Sequence, residues 1–191
     1  MIIDLKHYIL HQKEFFDKEL CAQTVSDLER MKFKDHTYYN VEEKTDLPNI
    51  DGEELSVSWD HNNEVSTHQI IIKGLWQAIR NYIDYIDTPL FPSWDGYTAL
   101  RFNKYIKNKK LGPHVDHIQS MFDGKRRGIP ILSIVGTLND DYEGGEFIIL
   151  DDYEIPFRAG DVLMFPSVFL YPHRVEPVKK GIRYSYVSWV W

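Results

Sequence analysis

The sequence predicts an α+β fold that is mainly β, a sandwich or barrel of short strands with helices packed outside it. Three observations predict it. From Tyr97 onward, short apolar or alternating runs recur between turn signals. Ahead of that point, two stretches carry apolar residues at helical spacing. A hydrophobic content of 43% beside 27% charged residues is that of a folded globular chain.

The first helix is expected from Asp17 to Arg30. Leu20, Cys21, Val25 and Leu28, with Met31 just beyond, recur at helical spacing, and Asp17 is placed to cap the start. The second runs from about Thr67 to Ile86. Ile71, Leu75, Ala78, Ile79, Tyr82 and Ile86 fall on one face, and Ser66 with Gln69 forms a capping-box pattern. Between them, Asn40 to Glu64 is polar and rich in turn residues. It reads either as a solvated connector or as a flap over a site.

The β half opens with "YTALRFNKY", followed by "LGPHVDHIQS". Ile131 to Thr137 and Glu146 to Leu150 are strand-like runs, and the intervening "NDDYEGG" reads as a hairpin loop. "AGDVLMFP" gives a turn and a strand closed by Pro166. "RYSYVSWVW" is β-branched and aromatic, with no Gly or Pro. The expected organisation is one domain over residues 1–191, with 1–96 as helical support and flap and 97–191 as the β half.

Composition excludes several classes. The net charge of -7 leaves no broad basic footprint, so nucleic acid is a disfavoured partner. Cys21 is the only cysteine, which excludes an internal disulfide and any cysteine-rich metal site. No apolar run approaches the ~20 residues of a membrane span, and "MIIDLKHYIL" lacks the pattern of a signal peptide. The expectation is a soluble, cytoplasmic protein without a membrane partner.

The chemistry is carried by an ordered set. Residues two apart on an extended chain share a face, so His114 and Asp116 project together while Val115 and His117 point away. "FLYPHRVEP" offers His173, 59 residues after His114, just past the Pro166 strand end. Two histidines and one carboxylate make the facial set of non-haem Fe(II) oxygenases, which leaves coordination positions open. A closed structural zinc site requires four ligands. On the last strand Arg183, Ser185, Val187, Trp189 and Trp191 share one face. Arg183 can carry a planar fork to a carboxylate, and Ser185 can add a hydroxyl.

This order of motifs resembles the prolyl 4-hydroxylase-like branch of the 2-oxoglutarate- and Fe(II)-dependent dioxygenases. The resemblance covers roughly Tyr97 to Trp191, with "FFDKELCAQTVSDLERM" similar to that branch's N-terminal lead-in. "TLNDDYEGGEF" resembles its turn after the first ligands, and "GDVLMFPS" the strand before the distal histidine. The resemblance implies a double-stranded β-helix of jelly-roll, cupin-like form. It implies His114, Asp116 and His173 as iron ligands and Arg183 as the partner of the far carboxylate of 2-oxoglutarate. Tyr105 stands where the branch has a cosubstrate-binding tyrosine, although a core aromatic is the alternative reading. Thr137 stands where many members have tyrosine and can offer a hydroxyl to the cosubstrate.

The implied function is an oxidoreductase using Fe(II), 2-oxoglutarate and O2, with ascorbate as a reductant. It hydroxylates a substrate C–H, first a proline in a peptide or protein, and releases succinate and CO2. The alternatives are the same chemistry on a free amino acid, small metabolite or nucleobase, and an inactive jelly-roll binding module. Lys125, Arg126 and Arg127, within Phe122 to Pro130, read either as a solvated loop or as a substrate-facing rim over residues 117–130.

Overall fold

The structure is a computed structural model describing residues 4–40, 45–48, 52–60, 63–87, 94, 96–117 and 130–191. Residues 118–129 of the expected rim lie outside the described residues, as do 41–44, 49–51, 61 and 62 of the expected flap.

A 3-10 turn, Leu5–Tyr8, leads into β1 (Leu10–Gln12) and α1 (Lys18–Leu28). Next come β2 (Lys34–Asp35), β3 (Thr37–Asn40), β4 (Thr45–Pro48), β5 (Ser56–Trp59) and α2 (His68–Ile86). The β half begins with β6 (Arg101–Tyr105), β7 (Leu111–His114), β8 (Leu132–Thr137), β9 (Glu143–Gly144) and β10 (Phe147–Ile149). It ends with β11 (Tyr153–Ile155), β12 (Val162–Pro166), β13 (His173–Val175), β14 (Val178–Lys180) and β15 (Arg183–Val190).

Both predicted helices form. The Asp17 carboxylate accepts the Leu20 N–H at 2.7 Å and caps α1. In α2 the expected stripe is buried at Ile71, Leu75, Ala78, Ile79 and Tyr82, and Ile86 packs partly buried against the same core. The capping box at its start does not form. Thr67 is the N-cap and makes no side-chain cap bond. Its hydroxyl instead pairs with that of Thr24 at 2.7 Å, and both the N–H and hydroxyl of Ser66 donate to Asp27. A buried carboxylate at the end of α1 thus takes the donor that the local pattern assigned to a cap, joining the two helices.

The N-terminal half is not only helical. A seven-stranded sheet runs β1-β12-β8-β15-β6-β5-β2, so three short N-terminal strands extend a sheet centred on the C-terminal half. Within the expected connector, β5 pairs antiparallel with β6, setting Trp59 opposite Arg101. A second sheet runs β11-β10-β13-β7, and two-stranded pairs β14-β9 and β3-β4 complete the set. The "NDDYEGG" segment is not a hairpin between its flanking strands. β8 and β10 belong to different sheets, and the segment crosses between them through Gly144 and Gly145, both with positive φ.

The seven-stranded sheet is covered on both faces, and alternation along β15 shows how. Tyr184, Tyr186 and Val190 face a core shared with α1 and α2, including Leu28, Leu75 and Ile79. Val187 and Trp189 face the smaller sheet, joining Phe147, Ile149 and Val175. All eight residues of β15 are buried. At Gly136 of β8, a Cβ would lie 2.0 Å from the Tyr186 ring, so only glycine lets that ring cross the strand. Asp161, at the start of β12, pins the N-terminus by accepting from His11 Nε2 and the Glu14 N–H, each at 2.8 Å. Among the described residues no helix is long and apolar enough to cross a membrane.

Asp27 generates a stability prediction. Burial works to raise its pKa, but donors from Ser66 and Gln23 and the charge of Arg30 outweigh it, holding the carboxyl below its ordinary value. Its contribution is therefore complete at neutral pH and fades as pH falls through that lowered value. Asp27→Ala is expected to destabilise the fold by about 1–3 kcal/mol at neutral pH, with a smaller gap in strong acid. Urea unfolding at both pH values measures this, and an equal gap at each would contradict the charged role.

Candidate metal centre

β7 and β13 are paired antiparallel with His114 directly opposite His173. Chain pairing, rather than sequence proximity, sets the imidazoles side by side, with centroids 4.2 Å apart. Asp116 lies two residues beyond His114, turned into the same space. Its Oδ1 lies 3.6 Å from His114 Nε2 and its Oδ2 3.6 Å from His173 Nε2. One donor atom from each residue falls within 4.8 Å of the other two.

The orientation of each ring is fixed from behind. His114 Nδ1 is 2.9 Å from the Gly112 carbonyl, and His173 Nδ1 is 3.1 Å from the Tyr171 carbonyl. A carbonyl only accepts, so each Nδ1 carries the proton and each Nε2 presents a lone pair to the centre. Phe147 stacks on His173 at 5.5 Å and Phe165 meets its edge at 5.0 Å. His117, the neighbouring histidine expected to point elsewhere, is exposed.

Electrostatics favour the metal-binding protonation states. Burial, reinforced by the nearby His173, lowers the His114 pKa from 6.5 to about 4. Asp116 is 8% exposed. Burial opposes its charge, but His173 and His114, with the Ser133 hydroxyl and the Trp189 indole, more than compensate and hold its pKa low. His114 is therefore a neutral imidazole and Asp116 a carboxylate.

The same cavity holds a cation. Arg183 is 1% exposed, with its guanidinium carbon 5.0 Å above the Tyr105 ring. Its Nη1 donates to Ser185 Oγ at 3.0 Å, while the N–H groups on Nε and Nη2 have no partner. Gly145 makes room: at φ +66 it takes the left-handed conformation, and a Cβ there would lie 3.1 Å from Arg183 Cδ.

The donor set and the unpaired Arg183 fork fit an oxygen- and nitrogen-bound divalent metal together with an anion. Arg183, Ser185 and Tyr105 line the cavity beside His114, Asp116 and His173. Ser185 differs in its partner, because it accepts from Arg183 and thereby orients it. Thr137 lies opposite Ser185 on β8, buried, with its Oγ1 unpartnered. Trp189 lines the cavity, whereas Trp94 packs with Trp76 and Tyr97 away from it. Sequence reasoning missed Arg101 and Asn103, which line the cavity from β6. The signal was available, because Arg101, Asn103 and Tyr105 share one face by strand alternation.

Residues 100–191 match the model of the 2OG-Fe(II) oxygenase superfamily. A PKHD-type hydroxylase of Xylella fastidiosa strain M12 is 38% identical over 107 aligned positions, covering 47% of this chain and 43% of the relative. One from Acinetobacter baumannii strain ATCC 17978 is 31% identical over 150 positions, covering 71% and 62%. The chain thus spans less than half the length of the first of these relatives. Among solved structures, a Pseudomonas putida prolyl-4-hydroxylase superposes with a TM-score of 0.70 at 18% identity, over 96% of this chain and 92% of that one. A Trichoplax adhaerens prolyl hydroxylase, in complex with a hypoxia inducible factor peptide fragment, gives 0.71 at 15% identity, over 97% and 84%. These likenesses bear out the double-stranded β-helix expected from the motifs.

The neutrality of His114 is directly measurable. An unfolded histidine takes its proton near pH 6.5 and this one only near 4. The unfolded chain therefore binds more protons between those values, and the metal-free fold loses stability as pH falls through that window. NMR titration of the ring protons in chelator-treated protein should place His114 near pH 4. A midpoint near 6.5 would refute the buried, pre-neutralised site.

Proposed function

From the premise that residues 100–191 belong to the 2OG-Fe(II) oxygenase superfamily, we propose that this chain is an Fe(II)- and 2-oxoglutarate-dependent hydroxylase of peptide or protein prolines. The observation that carries this reading is one cavity lined by both an open three-donor metal set and a buried arginine whose Nε and Nη2 are unpaired. Structural neighbours that are prolyl hydroxylases, one bound to a peptide fragment, support the substrate class.

His114, Asp116 and His173 are the proposed iron ligands. Iron bound there, with 2-oxoglutarate and O2, supplies the oxidation that places a hydroxyl on a C–H bond and yields succinate and CO2. This chain's own residues do the rest. The Gly112 and Tyr171 carbonyls hold both Nε2 lone pairs in position. Asp116 contributes the negative charge that lets a divalent cation replace its hydration in a buried place. Arg183 receives the far carboxylate of the cosubstrate through its Nε–Nη2 edge, where two parallel N–H bonds fix position as well as charge. The Tyr105 ring supports the guanidinium from below, and Val135, Val187 and Trp189 exclude water around it.

An inactive binding module with this fold has no need of the complete set, and an acidic chain is poorly suited to nucleic acid. With iron, ascorbate and a proline-containing peptide library, wild type should form succinate and add one oxygen atom to a product peptide. His173→Ala should reduce both to background. Turnover that survives this substitution would remove His173 from the site.

Arg183→Lys retains the charge but not the planar fork. It should raise the 2-oxoglutarate concentration needed for half-maximal rate by about tenfold or more, the loss expected for a charge-assisted hydrogen bond. An unchanged requirement would exclude Arg183 as the carboxylate partner.

A further inference from the structure

A second arginine lines the cavity, at the other end of the same strand pair. Arg101 and Tyr105 share the cavity face of β6. Tyr105 is directly opposed to Arg183 on β15, whereas Arg101 is opposed to Val187. Four residues of extended chain set Arg101 about 13 Å along β6 from the Tyr105–Arg183 pair. The two cations differ in burial as well. Arg183 is 1% exposed, while Arg101 is half-buried. Arg183 thus marks the closed end of the cavity and Arg101 the end that meets solvent.

Arg101 is carried on an indole. Its guanidinium carbon lies 4.8 Å over the Trp189 ring, and Trp189 itself lines the cavity. Trp59, opposite Arg101 on β5, backs this platform with its ring 6.3 Å from that of Trp189. Stacking engages the face of a guanidinium, whereas its N–H donors lie in the plane and point outward from the edge. A rigid aromatic support therefore fixes a planar cation without consuming the geometry that recognises a planar anion.

The charges of the cavity show what that cation serves. A divalent metal and Arg183 bring three positive charges, and Asp116 with a dicarboxylate cosubstrate brings three negative ones. The catalytic half is balanced without Arg101. The additional cation gives the solvent-facing end a positive potential, which favours an anion there over its neutral isostere.

We infer that Arg101, held on Trp189, is a specificity-determining residue that pairs with a carboxylate of the substrate. The inference rests on the 2-oxoglutarate and iron reading of the cavity and adds to it the chemistry of the molecule that enters last. The carboxylate has two sources, an aspartate or glutamate beside the target proline or the α-carboxylate of the proline itself. A site built to pair a charge rejects the neutral amide, which leaves the guanidinium without its counter-charge.

The test reads binding by calorimetric titration of the Mn(II)- and 2-oxoglutarate-loaded protein. The probes are capped pentapeptides with a central proline and one Asp or Glu at each flanking position in turn, each matched by its Asn or Gln counterpart. N-acetylproline and its amide form a further pair. In wild type at least one acid should bind about tenfold or more tightly than its amide, as expected for a charge-assisted pair. A preference within a peptide pair assigns the carboxylate to a neighbouring residue, and one within the acetylproline pair assigns it to the proline. Arg101→Gln, with Arg101→Met as a second neutral variant, should abolish the preference while 2-oxoglutarate affinity stays at the wild-type level. Equal affinity for every acid and its amide in wild type, or binding of neither, overturns the inference before any variant is made. It is also overturned by a preference that survives both substitutions, by a parallel loss of 2-oxoglutarate affinity, or by failure of both variants to fold. In each of these cases hydroxylation of proline peptides by wild type would leave the proposed function standing. Absence of 2-oxoglutarate binding to wild type overturns both.

Discussion

A guanidinium sealed in the interior with two N–H groups unpaired is the interaction on which this architecture turns. An isolated buried charge is costly, and removing one partner from such a charge is worse than never having buried it. Arg183 is therefore held by everything that a protein can offer short of an anion. A tyrosine ring lies beneath it, a serine oxygen takes one N–H, and a glycine in the left-handed conformation clears space for its stem. These partners come from β6, β15 and the crossover after β8. They meet only because β15 lies between β6 and β8 at the centre of the seven-stranded sheet. The strand order is thus the means by which one cation receives its surroundings.

At the other end of the cavity the same logic runs through hydrogen bonds rather than charge. His114 is aimed by the Gly112 carbonyl, and the N–H of Gly112 in turn reaches Glu54 Oε1 at 3.5 Å. The second oxygen of Glu54 faces His36 Nδ1 at 3.0 Å. A residue far ahead of the β half therefore stands behind a proposed metal ligand, two bonds removed. Support of this kind sets ring orientation and ligand basicity. Among the described residues no N-terminal segment lines the cavity, yet these hydrogen bonds tie Glu54 and His36 to it.

Much of this was legible in the sequence where a single period governs the outcome. The alternation of "RYSYVSWVW" separates Arg183, Ser185, Val187 and Trp189 from Tyr184, Tyr186 and Val190, and the sheet keeps that division. The stripe of α2 and the Asp17 cap were readable for the same reason. What escaped depends on partners distant in the chain. β1 is three residues of mixed polarity, and β2 is two exposed ones; neither has a pattern of its own, and each is a strand only because a longer strand offers its edge. Ser66 carried a sound local capping signal that a buried Asp27 overrode. The Gly-Gly segment has the chemistry of a hairpin turn, yet sheet closure sends it across to the second sheet. Alternation puts Asn103 on one face with Arg101 and Tyr105, but which sheet that face meets is set by the strands that pair with β6.

The two faces of β15 then explain why a site with unsatisfied groups can persist in a stable fold. Each buried polar atom without a partner costs about 1–3 kcal/mol, and the cavity face carries several in Arg183, Asn103 and Thr137. The opposite face supplies the compensation. Leu28, Ile71, Leu75 and Ile79 are all fully buried against it, and burying such a side chain contributes about 1.5–3 kcal/mol. Neither helix contributes a residue lining the cavity, yet both act on it through the thickness of one sheet. A fold that keeps buried polar groups unpaired needs such a reserve, and here it lies on the reverse side of the same strands.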